Sequence, residues 1–520
     1  MSVTEQEIEV WRKKIHTDFQ PAAEKYYAGE LKRNEYKGIS GGFGSYAQRG
    51  DDPKLSMIRL RMTAGHLTKN KLAFIADAVR KHNINKIKFT TCQTVQLHNL
   101  GLNSLLDIME GALDVGIVTM GGGGDNPRNV TCSPLSGLDR FEHFDVQPYA
   151  EAVGQYAMQF IKAGLLPRKL KIGFSSSPKN VSHATIRDLG FVARADGKFD
   201  VYSAGGVGPN PKVGIRVGEG VEPSDIFLYV KAMVNVYRAY GDYKNRARAR
   251  SRYIPEALGG TAKYRKAFAE KLAEVKKERK DGSTEFDFTV EVPKIKKTGR
   301  SVINHPRAIP QKQRGLYSVV YHPIGGTPDP ATFLKLADAV ADIKEAEIRL
   351  SPDETAYIVN LTGVEARKII NITAADTATT TFEMASACIG AAICQAGVRD
   401  SQALIHNCVD AVRKAGIPDG ALPPVHICGC PGSCSTPQLV DIGFRGSIRD
   451  KQSAYILTIN GKSVEGKEVF GQELGALFEK DIPDFLVELG SAVAYTGLSY
   501  NEWLALNPEG VSKVAAKYLP

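Results

Sequence analysis

Two stretches of the chain share one order of apolar and polar positions. Residues 54–100 read as an apolar strand, a loop, an amphipathic helix, a strand and a last strand with polar ends. Residues 315–361 repeat that order, down to an Ala-Asp-Ala-Val run within each predicted helix. A helix with one apolar stripe, flanked by short strands, cannot bury its apolar face alone. Two such units are therefore half-sheets expected to close on each other, which makes the fold class α+β with an internal repeat. Each copy leads into a segment rich in glycine and cysteine, GGGGDNPRNVTC after the first and SACIGAAIC after the second. The polar, weakly periodic stretch 278–315 reads as the connector between the halves. Residues 1–45 read as an arm with one helix and a Gly-rich end.

At 520 residues the chain has material for about three domains. No apolar run reaches membrane-spanning length. Lys and Arg total 67 against 57 Asp and Glu, a formal charge of +10, so the ligand or partner is expected to be anionic. Nucleic acid, an acidic redox protein and a polycarboxylate cofactor all satisfy that. The densest basic run, 244–253, carries Arg246, Arg248, Arg250 and Arg252 at alternate positions; it reads as a solvated face or as a binding footprint. No Gly-x-Gly-x-x-Gly stands between a predicted strand and a helix, so a nucleotide cofactor as electron source is not expected. The opening MSVTEQEIEVWRKKIH resembles neither a secretory nor a twin-arginine signal, and a reducing cytoplasm is the expected location.

The candidate chemistry lies in two cysteine pairs, Cys388-x5-Cys394 and Cys430-x3-Cys434. Their spacing points to an iron-sulfur cluster. Residues six apart on a straight helix are rotated about 120° from each other, so the stretch around Gly390 must be looped for both thiols to face one centre. The second pair sits on a Pro431-Gly432-Ser433 turn that leaves amides free to face sulfur. Zinc is the rival, although a five-residue gap falls outside its usual pair spacing. Disulfides need an oxidising compartment. Cys92, Cys132, Cys408 and Cys428 read as small buried hydrophobes, with Cys428 a possible substitute ligand.

On these cysteine pairs and the LPRKLK stretch at 166–171, the chain resembles the sirohaem-dependent sulfite and nitrite reductases, ferredoxin-type enzymes with a 4Fe-4S cluster, from about residue 46 onward. The resemblance implies two ferredoxin-like half-domains, each followed by an α/β domain that binds sirohaem or the cluster. Boundaries follow as an arm at 1–45, half-domains at 46–110 and 310–375, a sirohaem and substrate domain at 111–285, a linker at 286–309 and a cluster domain at 376–520. It implies Cys388, Cys394, Cys430 and Cys434 as cluster ligands, with Cys434 bridging to the sirohaem iron. Arg59, Arg128, Lys169 and Lys171 would hold the anionic substrate, and Lys88, Thr90, Gln96 and Arg168 the cofactor carboxylates.

In a water-poor pocket such cations act with far more strength than in solvent and can feed protons to departing oxygens. Arg61 shares the strand face of Arg59 and is its alternate. Cys92 stands where the family commonly has arginine, and Gly432 where it commonly has asparagine. The implied activity is six-electron reduction of sulfite to sulfide, with electrons from an external donor, an acidic ferredoxin suiting the basic surplus best. Lys171 favours sulfite, since a doubly charged anion gains more from an extra cation. Nitrite is the alternative, favoured by the segment 133–149. Precorrin-3B synthases share the fold, but the full cationic set argues against that role. The reading from another class, a zinc-stabilised nucleic-acid-binding protein, lacks a recognition motif; neither nucleic acid nor membrane is expected as a partner.

Overall fold

The apolar positions of the helix Lys69–Lys81 fall at Leu72, Ile75, Ala76 and Val79, a three-four spacing that makes one face, and all four are buried. Its counterpart Pro330–Asp342 buries Phe333, Leu336, Ala337 and Val340 in the same way, and opens on Asp329, whose carboxylate accepts from the Thr332 amide. The structure, a computed structural model, describes residues 5–50, 52–162 and 164–519. The first four residues of the expected arm lie outside the described residues.

Each helix packs on an antiparallel sheet of matching order. The first holds Ser45–Ala47, Ser56–Leu60, Val95–Leu100 and Ile87–Phe89; the second holds Ala308–Pro310, Tyr317–Tyr321, Ala356–Leu361 and Glu347–Leu350. The short strand His66–Leu67 leaves the first unit and pairs with Glu347–Leu350 of the second. The repeat reaches single residues. Gln93 and Glu354 (φ 54° and 70°), and Asn99 and Asn360 (61° and 62°), take the left-handed conformation at equivalent places. One core holds Ile58, Ile75 and Leu97 together with Val319, Leu336 and Ile358, so the half-sheets do close on each other. The arm joins this core through Phe19, Tyr26 and Tyr36. It contains more helix than expected: Glu5–Lys14, Gln20–Ala28 and Arg33–Ser40, with Gly29 (φ 87°) ending the second.

Two five-stranded sheets complete the molecule. Thr131–Cys132, Ile172–Ser175, Leu189–Ala193, Phe199–Ser203 and Ile215–Val221 form one; Ser386–Ala387, Val425–Cys428, Ile442–Arg449, Gln452–Ile459 and Gln472–Phe478 form the other. In both, the first three strands run parallel and the last two antiparallel. Each sheet has its own apolar core. Residues 287–305, within the expected connector, carry no helix or strand.

The left-handed residues at the two hairpin tips lock each half-sheet to the sheet that follows it. Gln93 donates to Cys132 O (2.9 Å) and accepts from Cys132 N (2.7 Å), while Glu354 accepts from Ala387 N (3.0 Å). Glu354 also pairs with Lys88 at 2.7 Å, their side chains 1% and 2% exposed, and Lys88 donates to Gly325 O and Ala387 O at 2.6 and 2.9 Å. Removing one partner strands a buried charge, which typically costs about 3–5 kcal/mol. Lys88→Met is therefore expected to lower stability by about that amount in urea melts, with part recovered in Lys88→Met/Glu354→Gln. An unchanged midpoint for the single variant would show that this pair does not hold the halves together.

Candidate functional site

Cys388 leaves the strand Ser386–Ala387 and the backbone turns back at Gly390 (φ 72°), where a Cβ would stand 2.8 Å from Ser401 N. Cys394 N then donates to Gly390 O at 2.8 Å. The first pair is thus looped, as its spacing requires. Cys430 and Cys434 follow the strand Val425–Cys428 on a tight turn. The left-handed residue there is Ser433 (φ 50°), not Gly432; its hydroxyl accepts from Gln438 Nε2 at 2.8 Å and donates to Pro431 O at 3.3 Å. Gly432 serves close approach instead, since a Cβ on it would lie 3.2 Å from Cys430 Sγ.

Amides face these sulfurs: Gly429 N lies 3.2 Å from Cys388 Sγ and Gly432 N 3.4 Å from Cys430 Sγ. Cys428 is buried, and its sulfur accepts from Cys434 N at 3.0 Å. Among the described residues no three His, Cys, Asp or Glu side chains converge on one metal ion, as zinc would require. Thiolates of an iron-sulfur cluster bind separate irons, so their sulfurs stand further apart. Among the described residues Cys434 is the one exposed cysteine, although its thiol is enclosed by neighbouring groups. Cys428 first, then Lys169, Lys171 and Arg59, bring its thiol down to about 5 against the effect of burial.

Those cations come from three elements. Arg59, on Ser56–Leu60, stands opposite Gln96 of the neighbouring strand. Gln96 accepts from Arg59 Nε and Nη2 at 3.1 and 2.9 Å and donates to His98, which burial keeps neutral. The glycine loop 121–124 presents carbonyls to the arginines. Gly122 O accepts from both Arg59 and Arg128, and Gly124 O from Arg128 at 2.9 Å. Residues 126–128 run parallel to the segment at Leu170, with Arg128 N donating to Leu170 O at 2.8 Å, which brings Arg128 alongside Lys169 and Lys171.

The two lysines share a face by strand alternation, and among the described residues neither forms an ion pair. Burial, then Arg250, Lys171 and Arg128, hold the Lys169 ammonium well below its usual range. The Cys92 thiol supports the charge on Lys171, but burial, Arg187 and Arg250 outweigh it and the ammonium is lowered. Tyr46 joins the arginines. Its hydroxyl accepts from Gly124 N at 3.0 Å, and although burial pushes the phenol up, Arg128 and Arg59 hold it below its ordinary value.

Other expected residues lie elsewhere. Lys88 is not a free carboxylate clamp, because its ammonium is consumed by Glu354 and two carbonyls. Thr90 is engaged within its own turn, its hydroxyl 2.7 Å from that of Thr94. Gln96 aims Arg59 rather than facing the pocket alone. Arg168 pairs with Asp125 at 2.8 Å, which Arg246 shares. Arg61 is buried and bonded to Met120 O at 3.0 Å, bracing the glycine loop.

The basic run 244–253 divides. Arg246 and Arg248 make surface pairs with Asp125 and Glu256, while Arg250 pairs with the fully buried Asp188 at 3.0 Å. Arg252 is 6% exposed, with Nε and Nη1 lacking partners. Arg250 and Arg252 show in sequence only as members of the basic run, and Arg187 belongs to no motif at all; Arg187 and Arg252 are buried and Arg250 half-buried. The pocket therefore holds more positive charge than the protein neutralises, beside the Cys434 thiol. A polycarboxylate macrocycle and a small oxyanion fit that donor set.

Comparisons with known proteins agree. Residues 123–276 match the family described as nitrite and sulphite reductase 4Fe-4S domain, and residues 48–115 match the nitrite/sulfite reductase ferredoxin-like half domain. Ferredoxin–nitrite reductase of Synechococcus elongatus is 28% identical over 477 residues, covering 84% of this chain and 86% of that protein. The chloroplastic ferredoxin–nitrite reductase of Betula pendula is 26% identical over 454 residues, 82% and 74% of the two chains. Sulfite reductase (ferredoxin) 1 of Mycolicibacterium paratuberculosis is 24% identical over 468 residues, 84% and 80%. The NirA protein of Mycobacterium tuberculosis shares the fold, with a TM-score of 0.76 and 22% identity over 94% of this chain and 93% of that one. Two regions of the chain, residues 48–115 and 123–276, belong to the nitrite and sulphite reductase family. The chain is an oxidoreductase of that class.

The glycine loop offers a direct check on the arginine geometry. A Cβ on Gly123 would collide with Gly41 O and the Tyr46 hydroxyl. Gly123→Ala is expected to displace the carbonyls that hold Arg59 and Arg128, raising KM for the oxyanion substrate while secondary structure by circular dichroism stays unchanged. An unaltered KM would show that the loop does not position them.

Proposed function

We propose that this chain carries out the six-electron reduction of sulfite to sulfide. The observation that carries the reading is the pair Lys169 and Lys171, half-buried and without carboxylate partners among the described residues, beside cations that act on Cys434. Cys388, Cys394, Cys430 and Cys434 are proposed to hold the cluster, with Cys434 shared with the sirohaem iron. Bound there, the two cofactors would supply electrons in sequence to the substrate. Arg59, Arg128, Lys169 and Lys171 bind the oxyanion, offset its charge and, through the two ammonium groups, donate protons to departing oxygens. Lowered lysines release those protons more readily than free ones.

Nitrite is the second reading. It is favoured by the names of the Synechococcus and Betula relatives, both ferredoxin–nitrite reductases. The proposed donor is an acidic ferredoxin, supported by the net charge of +10 and by those relatives' names. Among the described residues no helix is long and apolar enough to cross a membrane, and a reducing compartment such as the cytoplasm suits the thiols.

Steady-state reduction of sulfite and nitrite, side by side with a chemical electron donor, tests the substrate. Lys171→Asn is expected to lower sulfite turnover by about 10²- to 10³-fold and nitrite turnover by less. Equal losses would make Lys171 a general anion ligand and remove the preference for sulfite. Cys434→Ser is expected to lose both cofactors, read by iron, acid-labile sulfide and visible absorbance. Loss of the cluster with sirohaem fully retained would contradict the shared ligand.

A further inference from the structure

Arg187 precedes the strand Leu189–Ala193 and is 5% exposed. Its side chain lies over Gly173, where a Cβ would stand 3.2 Å from Arg187 Cγ and 3.0 Å from Thr131 Oγ1. Gly173 is two residues beyond Lys171, on the same strand face. The missing side chain is thus the channel through which a guanidinium reaches the neighbourhood of Lys171. Arg187 Nε and Nη2 both donate to one acceptor, Ser182 O, at 3.3 and 3.1 Å. No carboxylate pairs with it among the described residues. The adjacent Asp188 is fully used by Arg250, Ser251 and the Lys171 amide. A buried guanidinium left with a single carbonyl is costly unless an anion completes it.

We propose that Arg187 binds a carboxylate of the sirohaem, supplying the positive charge that Cys92 does not. Cys92 lies within electrostatic reach of Arg187. Burial pushes that thiol up, yet Lys171, Arg187, Arg59 and Arg128 bring it down to about 7. The hairpin tip bearing Cys92 is tied to the cluster loop, Thr91 Oγ1 donating to Cys434 O at 2.8 Å, so this corner borders the cofactor. A resident carboxylate rather than the substrate is the partner, because a permanent buried charge needs a partner between turnovers as well as during them. The planar fork of arginine also matches a carboxylate at two points.

The inference rests on the sirohaem reading, so sirohaem in the wild-type protein is established first. The full-length wild type, Arg187→Met and Arg187→Met/Cys92→Arg are then compared. The readouts are sirohaem per chain by visible absorbance, its rate of loss on prolonged high-salt washing, acid-labile sulfide, and folding by circular dichroism. Arg187→Met is expected to lose sirohaem about tenfold faster or more, with sulfide unchanged, as removal of a charge-assisted hydrogen bond implies. Cys92→Arg returns a guanidinium to the same corner and is expected to slow the loss toward the wild-type rate. If Arg187→Met does not fold, the double variant carries the test, and its retention of sirohaem supports the assignment. Wild-type retention by Arg187→Met overturns it, as does full retention with a raised KM for sulfite and nitrite, which would make Arg187 a substrate ligand. Failure of Cys92→Arg to restore retention overturns it as well.

Discussion

The constraint on which the rest of the structure depends is crowded, partly buried positive charge without a matching negative one. Lys169, Lys171 and Arg187 crowd a corner whose buried carboxylate, Asp188, is already paired with Arg250. Such an arrangement works against folding, since each cation loses water and repels its neighbours. Several neighbouring cations are held in place: the glycine loop grips Arg59 and Arg128, the Gln96 side chain fixes Arg59, and Gly173 admits Arg187. Preorganised in this way, the cations need no rearrangement when an anion arrives, which is the source of their strength in catalysis.

The duplicated scaffold explains how two kinds of chemistry meet. Both halves use a left-handed hairpin-tip residue, Gln93 or Glu354, to dock the first strand of the sheet that follows. After the first docking the chain places Lys169 and Lys171 just before the second parallel strand, Ile172–Ser175. After the second it places Cys388 just past the first, Ser386–Ala387, and Cys430 and Cys434 just past the second, Val425–Cys428. One half carries the lysines and the other the cysteines. The hydrogen bond from Thr91 to Cys434 O joins them across the pseudo-two-fold.

Much of this was legible in the chain itself. The repeat showed because helical and strand periodicities alternate in the same order twice, and the cysteine loop followed from six residues being a poor fit to one helical face. Lys88 was misread because its partner Glu354 lies in the other half of the chain, where no local pattern reveals it. The turn at Pro431-Gly432-Ser433 was expected from its proline and glycine, while the left-handed conformation there falls on Ser433, whose hydroxyl is hydrogen-bonded. Arg187 belongs to no motif; only the empty space over Gly173 exposes its role.

The central claim is that the thiols and the cation pocket form one centre for a sirohaem joined to a cluster. Iron and acid-labile sulfide, measured with the visible spectrum of the same purified sample, test it most directly. The account predicts a strongly coloured protein with acid-labile sulfide and one iron more than sulfide per chain. A colourless protein with stoichiometric zinc and no acid-labile sulfide would contradict it.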